Sequence, residues 1–376
     1  MRVRGYRRCV RRPQPLTREE TPITTSSNSP AGAGDARPSA PGAETSATGR
    51  DPRTVRDAGE FALIEAINAG RVQAPGVLLG PGDDAAVLAA PAGRYVVTTD
   101  MLVQDRHFRL DWSGPRDIGR KAIAQNAADV VAMGAAPSAF VVSLGCPSDT
   151  PVDFITELAD GMWAEAARAG ASIAGGDFVR SPLLVISVTA FGDPVAREPI
   201  LRSGARPGNV VAVAGLLGWS GAGLAVLSAG GHPESVDPAA ADAGLLADAV
   251  AVHRVPQPPY DAVLGLPGDA GITAMTDVSD GLLADLGHIA QSSGVAIDLD
   301  SASLGDPALD IIAKTLGGDA LEWILAGGED HAFAATFADA AAVPPGWLVV
   351  GRVLAGAGVT VDGAVRTGPT GWESFT

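Results

Sequence analysis

From Asp57 onward the sequence alternates between a hydrophobic period near 3.6 and one near two, and that alternation restricts the chain to layered helices and strands. Phe61, Ile64 and Ile67 stand at helical spacing, and Gly70 ends the pattern. Residues 94–99 (Arg-Tyr-Val-Val-Thr-Thr) predict a strand, 117–133 a helix carrying Ile118, Ile123, Ala127 and Val130, and 138–144 another strand. A helix over 152–168 and strands over 171–174 and 183–190 complete an alternating α/β first half. A stretch rich in Gly, Pro and Arg at 197–209 reads as a junction. Beyond it come strands at 210–214, 271–276, 295–299, 331–337 and 347–353, with helices over 280–291 and near 319–326.

A chain of 376 residues exceeds the size at which one core usually stops growing, so two α/β domains are expected, 56–196 and 197–376. Residues 1–55 differ in kind. They hold six Arg within the first twelve positions and then a Ser/Thr/Pro/Gly/Ala-rich stretch, too poor in apolar residues to order itself. We expect a disordered tail without the apolar core of a signal peptide.

Charge divides along the same line. The net charge is −16, yet the first 55 residues carry ten Arg and five Asp/Glu, which leaves 17 basic and 38 acidic groups in the rest. So acidic a body repels nucleic acid. No run of eighteen apolar residues is present to span a membrane. Cys9 and Cys146 are the only cysteines, so there is neither a disulfide framework nor a Cys-x-x-Cys metal signature, which suits a reducing cytoplasm.

The acidic residues recur in a pattern. Gly80-Pro81-Gly82-Asp83-Asp84 is a turn presenting two carboxylates ahead of an apolar strand; alone it would be an ordinary solvated loop. Four further sites follow: Thr98-Thr99-Asp100 at a strand end, Asn126 and Asp129 on the next helix, Gly175-Gly176-Asp177 after a strand, and Asp277-Val278-Ser279-Asp280-Gly281 at a strand-to-helix turn. Element ends are where α/β proteins assemble ligand sites. Ser279 or Asp280 could equally cap the helix that follows. Five or six converging carboxylates repel one another unless cations join them, and an oxygen-only donor set suits Mg²⁺ shared with substrate phosphates. Lysine is nearly absent (Lys121 and Lys314 only), and there is no Gly-Lys pair, hence no P-loop. A Gly-x-Gly-x-x-Gly helix start, a Gly-x-Ser-x-Gly elbow and a His-Glu-x-x-His motif are also missing. Gly175-Gly176-Asp177 and Arg202 remain as candidate phosphate contacts.

The ordered set GPGDDAAVL, TTDMLVQDRHF, KAIAQNAADVVAMGAAP, AGGD, LRSGARPG, TDVSDGLLADLGHIA and AGGEDHAF resembles the thiamine-monophosphate kinase family, from about Gly59 to Trp372. The resemblance implies a two-domain fold like that of aminoimidazole ribonucleotide synthetase, with N-terminal domains paired in a homodimer. It also implies Mg²⁺, several ions per site, with ATP as co-substrate and thiamine phosphate as acceptor. By motif position, Asp84, Thr98, Thr99, Asp100, Asp129, Asp177, Asp277 and Asp280 look like the metal shell, with Asp84, Asp100 and Asp129 central to catalysis. Gly176, Asp177, Arg202 and Ser279 look like ATP contacts, and His107, Glu329 and Trp372 like thiamine-phosphate contacts. His331 stands where the family pattern usually has Tyr or Phe. Two alternatives are a related ATP-dependent synthetase and a nucleotide-binding module without turnover.

Overall fold

Helix start signals and alternating strand patterns fix the architecture of the first half. In the computed structural model, residues 53–82, 85–194, 198–230, 242–268 and 270–372 are described. Most of the expected tail and the boundary expected between residues 196 and 197 lie outside them. Arg53 to Val55, counted above with the tail, are ordered: Thr54 and Asp57 cap α1 (Val55–Ala58) reciprocally, and Val55 N donates to Thr150 O at 2.9 Å. The helical spacing around Ile64 becomes α2 (Glu60–Asn68). A short antiparallel pair, β1 (Val77–Leu79) and β2 (Val87–Leu88), brackets the Gly/Pro turn.

Four strands then form a sheet in the order β3-β6-β4-β5: β3 (Val96–Val103), β4 (Ala136–Cys146), β5 (Ile173–Arg180) and β6 (Val185–Asp193). β4 and β5 are parallel, and the other two pairings are antiparallel. The helices α3 (Pro115–Ala132) and α4 (Val152–Arg168) pack on one face. Pro115 opens α3, where its fixed φ and missing N–H cost nothing. Both glycines at the α3–α4 crossing are required by distance: a Cβ on Gly119 would stand 2.1 Å from Leu158 O, and one on Gly161 2.0 Å from Arg116 O. Gly119→Ala is therefore expected to cost about 1–3 kcal/mol by forcing the helices apart, read as a lower denaturation midpoint; an unchanged midpoint would contradict the close crossing.

The second half contains a six-stranded sheet ordered β12-β9-β11-β7-β10-β8, antiparallel except between β9 and β12. Its strands are β7 (Val210–Ala214), β8 (Ile272–Asp277), β9 (Ala296–Leu299), β10 (Phe333–Phe337), β11 (Leu348–Leu354) and β12 (Gly358–Val361). Helices α5 (Trp219–Ser228), α6 (Ala243–Arg254), α7 (Asp261–Leu264), α8 (Leu282–Ser293), α9 (Ser301–Leu304), α10 (Pro307–Leu316) and α11 (Ala320–Ala326) complete it. The central strands are buried on both faces. Val211, Val213 and Ala334 join a core with α5, α6 and α8, whereas Ala212, Ala214, Phe333 and Phe337 join the core of the first half. The expected layered α/β fold is thus present, built on two mainly antiparallel sheets.

Packing against both sheets buries α3 on most of its circumference, and Lys121 and Asn126 are buried with it. Polar groups in such a helix must find partners or pay desolvation. Those partners form the site.

Candidate active site

Along β3, alternate residues face α3. Thr98 Oγ1 donates to Asp129 Oδ2 at 2.8 Å, the Asp100 amide donates to Asn126 Oδ1 at 3.0 Å, and Gln125 Nε2 donates to Asp100 Oδ2 at 3.2 Å. Asn126 is held in turn by its own Nδ2 on Ala122 O at 2.9 Å. The second half contributes Asp277, at the end of β8, and Asp280 in the following turn. Burial, then the charges of Asp277 and Asp100, push the Asp129 carboxyl up to about 7. Asp280 is raised by burial first and by Asp277 next, with a smaller contribution from Asp100. Four carboxylates from two halves thus crowd one place, and their mutual repulsion asks for a cation.

His331 meets this cluster: its Nδ1 lies 3.1 Å from Asp277 Oδ2. Burial works against the imidazolium, but the hydrogen bond and charge of Asp277, with Glu329 and Asp129 behind it, outweigh burial and raise the ring's pKa. Glu329 and His331 both adopt positive φ, 55° and 50°, on either side of Asp330. Non-glycine residues in that region cost about 1–3 kcal/mol each and persist where surrounding structure imposes them. Here the Glu329 amide donates to Ser279 O at 2.6 Å and the His331 amide to Val278 O at 2.8 Å, so this turn is pinned to the turn bearing Asp280.

Comparison with known proteins decides what this arrangement belongs to. Residues 82–193 match the family model described as AIR synthase related protein, N-terminal domain, and residues 206–363 match its C-terminal domain. The thiamine-monophosphate kinase of Mycobacterium tuberculosis (strain H37Rv) is 53% identical over 325 residues, spanning 86% of this chain and 93% of the relative. The chain belongs to the thiamine-monophosphate kinase family. A solved thiamine-monophosphate kinase from Stenotrophomonas maltophilia K279a is similar with a TM-score of 0.69 and 35% identity, covering 81% of this chain and 96% of that one. A structure of AaThiL complexed with AMPPCP and TMP gives a TM-score of 0.69 at 31% identity, covering 85% and 98%.

In this kinase the structure brings together Thr98, Asp100, Asp129, Asp277 and Asp280. Asp84 lies outside the described residues. Thr99 points to the opposite face of the first sheet, where its Oγ1 donates to Val188 O at 2.9 Å and lies 3.2 Å from Thr189 Oγ1. Strand register puts Asp177 beside Ser143 and Ser187 on that same face, together with Met101. Gly176 shares the inner face with Val142, whose carbonyl a Cβ there would approach to 2.0 Å. Two readings of position change. β3 continues to Val103 and β5 to Arg180, so Asp100 and Asp177 lie within strands, not at their ends, because both strands pair over their full length with a neighbour. Arg202 is exposed at the entry to the second half, its carbonyl accepting from Ser293 Oγ at 3.1 Å.

Of the three residues read as thiamine-phosphate contacts, Trp372 and Glu329 bond to the turn bearing Asp280, and Lys121 links Glu329 to His107. The Trp372 amide donates to Asp280 O at 2.9 Å, and the half-exposed indole lies under Arg106, 5.2 Å from guanidinium carbon to ring centre. His107 Nδ1 accepts the Val103 amide at 3.0 Å, which leaves the proton of a neutral ring on Nε2. Glu329 Oε1 is 2.8 Å from Lys121 Nζ; burial works to raise the carboxyl, but the charge and hydrogen bond of Lys121, together with His253 and His331, outweigh it and hold the carboxyl below its ordinary value.

Two supporting carboxylates escaped sequence reasoning. Asp285 Oδ2 accepts the amides of Ser279, Asp280 and Gly281 at 3.0, 3.0 and 3.1 Å and so shapes the whole turn before α8. Its one visible signal is an acidic residue in the first turn of a helix. Asp330 accepts the amides of Gly218 and Ser220 at 2.7 and 3.1 Å and caps α5 from a distant segment, which no local pattern announces. Burial pushes both carboxyls up to about 7.

Proposed function

We propose that the carboxylate cluster between the two halves is where the chain transfers the γ-phosphoryl group of ATP to thiamine phosphate, releasing ADP and thiamine diphosphate. The observation carrying this reading is the convergence of Asp100, Asp129, Asp277 and Asp280, with Asp129 raised to about 7 by burial and by its neighbours. All of these donors are hard oxygens, which fits Mg²⁺. Thr98, Asp100, Asp129, Asp277 and Asp280, with Asp84, would hold the ions of this cluster, whereas Thr99 and Asp177, on the opposite face of the first sheet, would serve a separate ion there. When bound, Mg²⁺ supplies the charge neutralisation that lets two polyanions meet in line.

The chain's own groups then have limited work to do. The acceptor is a phosphate oxygen already ionised at neutral pH, so no general base is needed; catalysis lies in alignment. Gly176, Asp177, Arg202 and Ser279 bind ATP, while His107, Glu329 and Trp372 bind thiamine phosphate, Trp372 through its ring face and the cationic thiazolium. The turn fixed by Asp285 brings Ser279 and Asp280 to the same edge as Trp372. Transfer is direct. Rapid-quench analysis with γ-labelled ATP should show label passing to thiamine diphosphate with no labelled protein; a kinetically competent phosphoprotein would sink the reading.

We place the enzyme in the cytoplasm as a homodimer; no helix among the described residues is long and apolar enough to cross a membrane. The support for a dimer is the open face of the first sheet, where Val97, Met101 and Val179 are each more than half exposed in register with Thr99 and Asp177. Met101→Asp should turn a dimer into a monomer in sedimentation velocity and lower turnover with it. A variant that keeps the wild-type mass would overturn pairing through this face.

A further inference from the structure

Lys121 is one of two lysines in the chain, and it is 2% exposed. Its ammonium lies 2.8 Å from Glu329 Oε1 and donates to the His107 carbonyl at 3.1 Å and to the His253 carbonyl at 3.5 Å. An ammonium has three protons, and three partners meet it. They come from three separate places: the loop between β3 and α3, the end of α6, and the turn between α11 and β10. Burying an ammonium costs several kcal/mol that a methionine of similar length would avoid, so the position does not follow from packing alone.

The neighbours of Glu329 sharpen this. Its second oxygen, Oε2, is 3.6 Å from His253 Nδ1, and Ser220 Oγ is 3.1 Å from that same nitrogen. Because both approach one ring atom, serine, histidine and glutamate do not form a relay, which needs the two nitrogens separately. Burial, followed by the charge of Lys121, lowers the His253 pKa to about 4, so the ring is neutral and Lys121 is the counter-charge of Glu329. The Glu329 side chain is still about one-third exposed, so one edge rests on the ammonium while the other is open. Its positive φ, with the amide bonded to Ser279 O, leaves the residue little freedom of its own.

We infer that Lys121 is a positioning residue for the acceptor side of the reaction: one buried ammonium holds the His107 loop of the first half and Glu329 of the second at a fixed spacing. The inference rests on the proposed function, in which both residues touch thiamine phosphate. It assigns Lys121 no contact with either substrate. The ammonium acts through the two residues it clamps.

Steady-state kinetics of Lys121→Met test it. The expected result is a KM for thiamine phosphate raised about tenfold or more, with the KM for ATP changed less than about twofold. Equal changes in both constants, a fall in kcat alone, or wild-type kinetics would overturn the inference. Should the lone Glu329 charge prevent Lys121→Met from folding, Lys121→Met/Glu329→Gln removes both charges and is compared with Glu329→Gln alone. Loss of the His107 side of the clamp should then raise the thiamine-phosphate KM about threefold further, again without the ATP constant. No further rise, or failure of the double variant to fold, would show that Lys121 holds the fold and not the acceptor site. A wild-type protein that releases no ADP on addition of thiamine phosphate would instead remove the functional reading itself.

Discussion

Asp129→Asn should lower turnover by about 10²–10³-fold, the size expected when one electrostatic group is removed from a transition-state site. The substitution keeps the volume and can keep the bond from Thr98, whose hydroxyl donates to Asp129 Oδ2 at 2.8 Å. What it removes is a negative charge that burial, Asp277 and Asp100 together penalise. The same change should therefore leave the protein as stable as before or more stable at pH 8, since repulsion in the cluster falls. Initial rates and thermal melts on one preparation check both halves. Near-normal rates, or lost stability with intact rates, would contradict a metal-binding role for this carboxylate.

The second large effect is on stability against pH. A carboxyl whose folded pKa is raised binds more protons in the native than in the unfolded state, so stability falls as pH rises from the unfolded value to the folded one. Asp129, Asp285 and Asp330 stand at about 7 against an ordinary 3.8, so their window runs from about 4 to about 7 and just beyond. His331, raised by Asp277 despite its burial, acts in the same sense: stability from its charge is lost as pH climbs through its folded pKa. His253, lowered to about 4, acts in the opposite sense, but its window closes near 6.5. Metal-free protein is thus expected to melt about 5 °C lower at pH 8 than at pH 6.5. Mg²⁺ favours ionised carboxylates and should raise the melting temperature more at pH 8 than at pH 6.5. Calorimetry in chelator and in excess Mg²⁺ measures both slopes. A chelated protein that grows more stable between those two pH values would refute the crowded-carboxylate account.

Regular elements were legible where burial is one-sided. α4 occupies the predicted 152–168 because its apolar stripe faces β5 and α3 while its other face is solvated. β7 coincides with the predicted 210–214, a short apolar run between a junction and a glycine. α5 and α6 were not legible. Gly221 and Gly223 weaken any local helix signal in α5, yet Gly223 is what lets the helix lie against α6, since a Cβ there would meet Ala249 O at 2.2 Å. Tertiary packing, which no local pattern records, chose helix there.

The site was legible in part for a related reason. Residue type and recurrence pointed to Asp100, Asp129, Asp277 and Asp280, because carboxylates recurring beside strands and turns stand out by chemistry alone. Strand phase was harder to read. Thr98, Thr99 and Asp100 are consecutive, so a strand must send Thr99 to the opposite face, and the full extent of β3 settles which face that is. Lys121 was visible only as one of two lysines. Only the packing of α3 against both sheets buries it and brings Glu329 to it.

The most direct test of the central claim is the rate of thiamine diphosphate formation from ATP and thiamine phosphate, followed through a Mg²⁺ titration of chelator-treated protein. The account predicts no product in chelator and a saturable return of activity as Mg²⁺ exceeds ATP. Product formed in chelator at the same rate as in Mg²⁺ would contradict it.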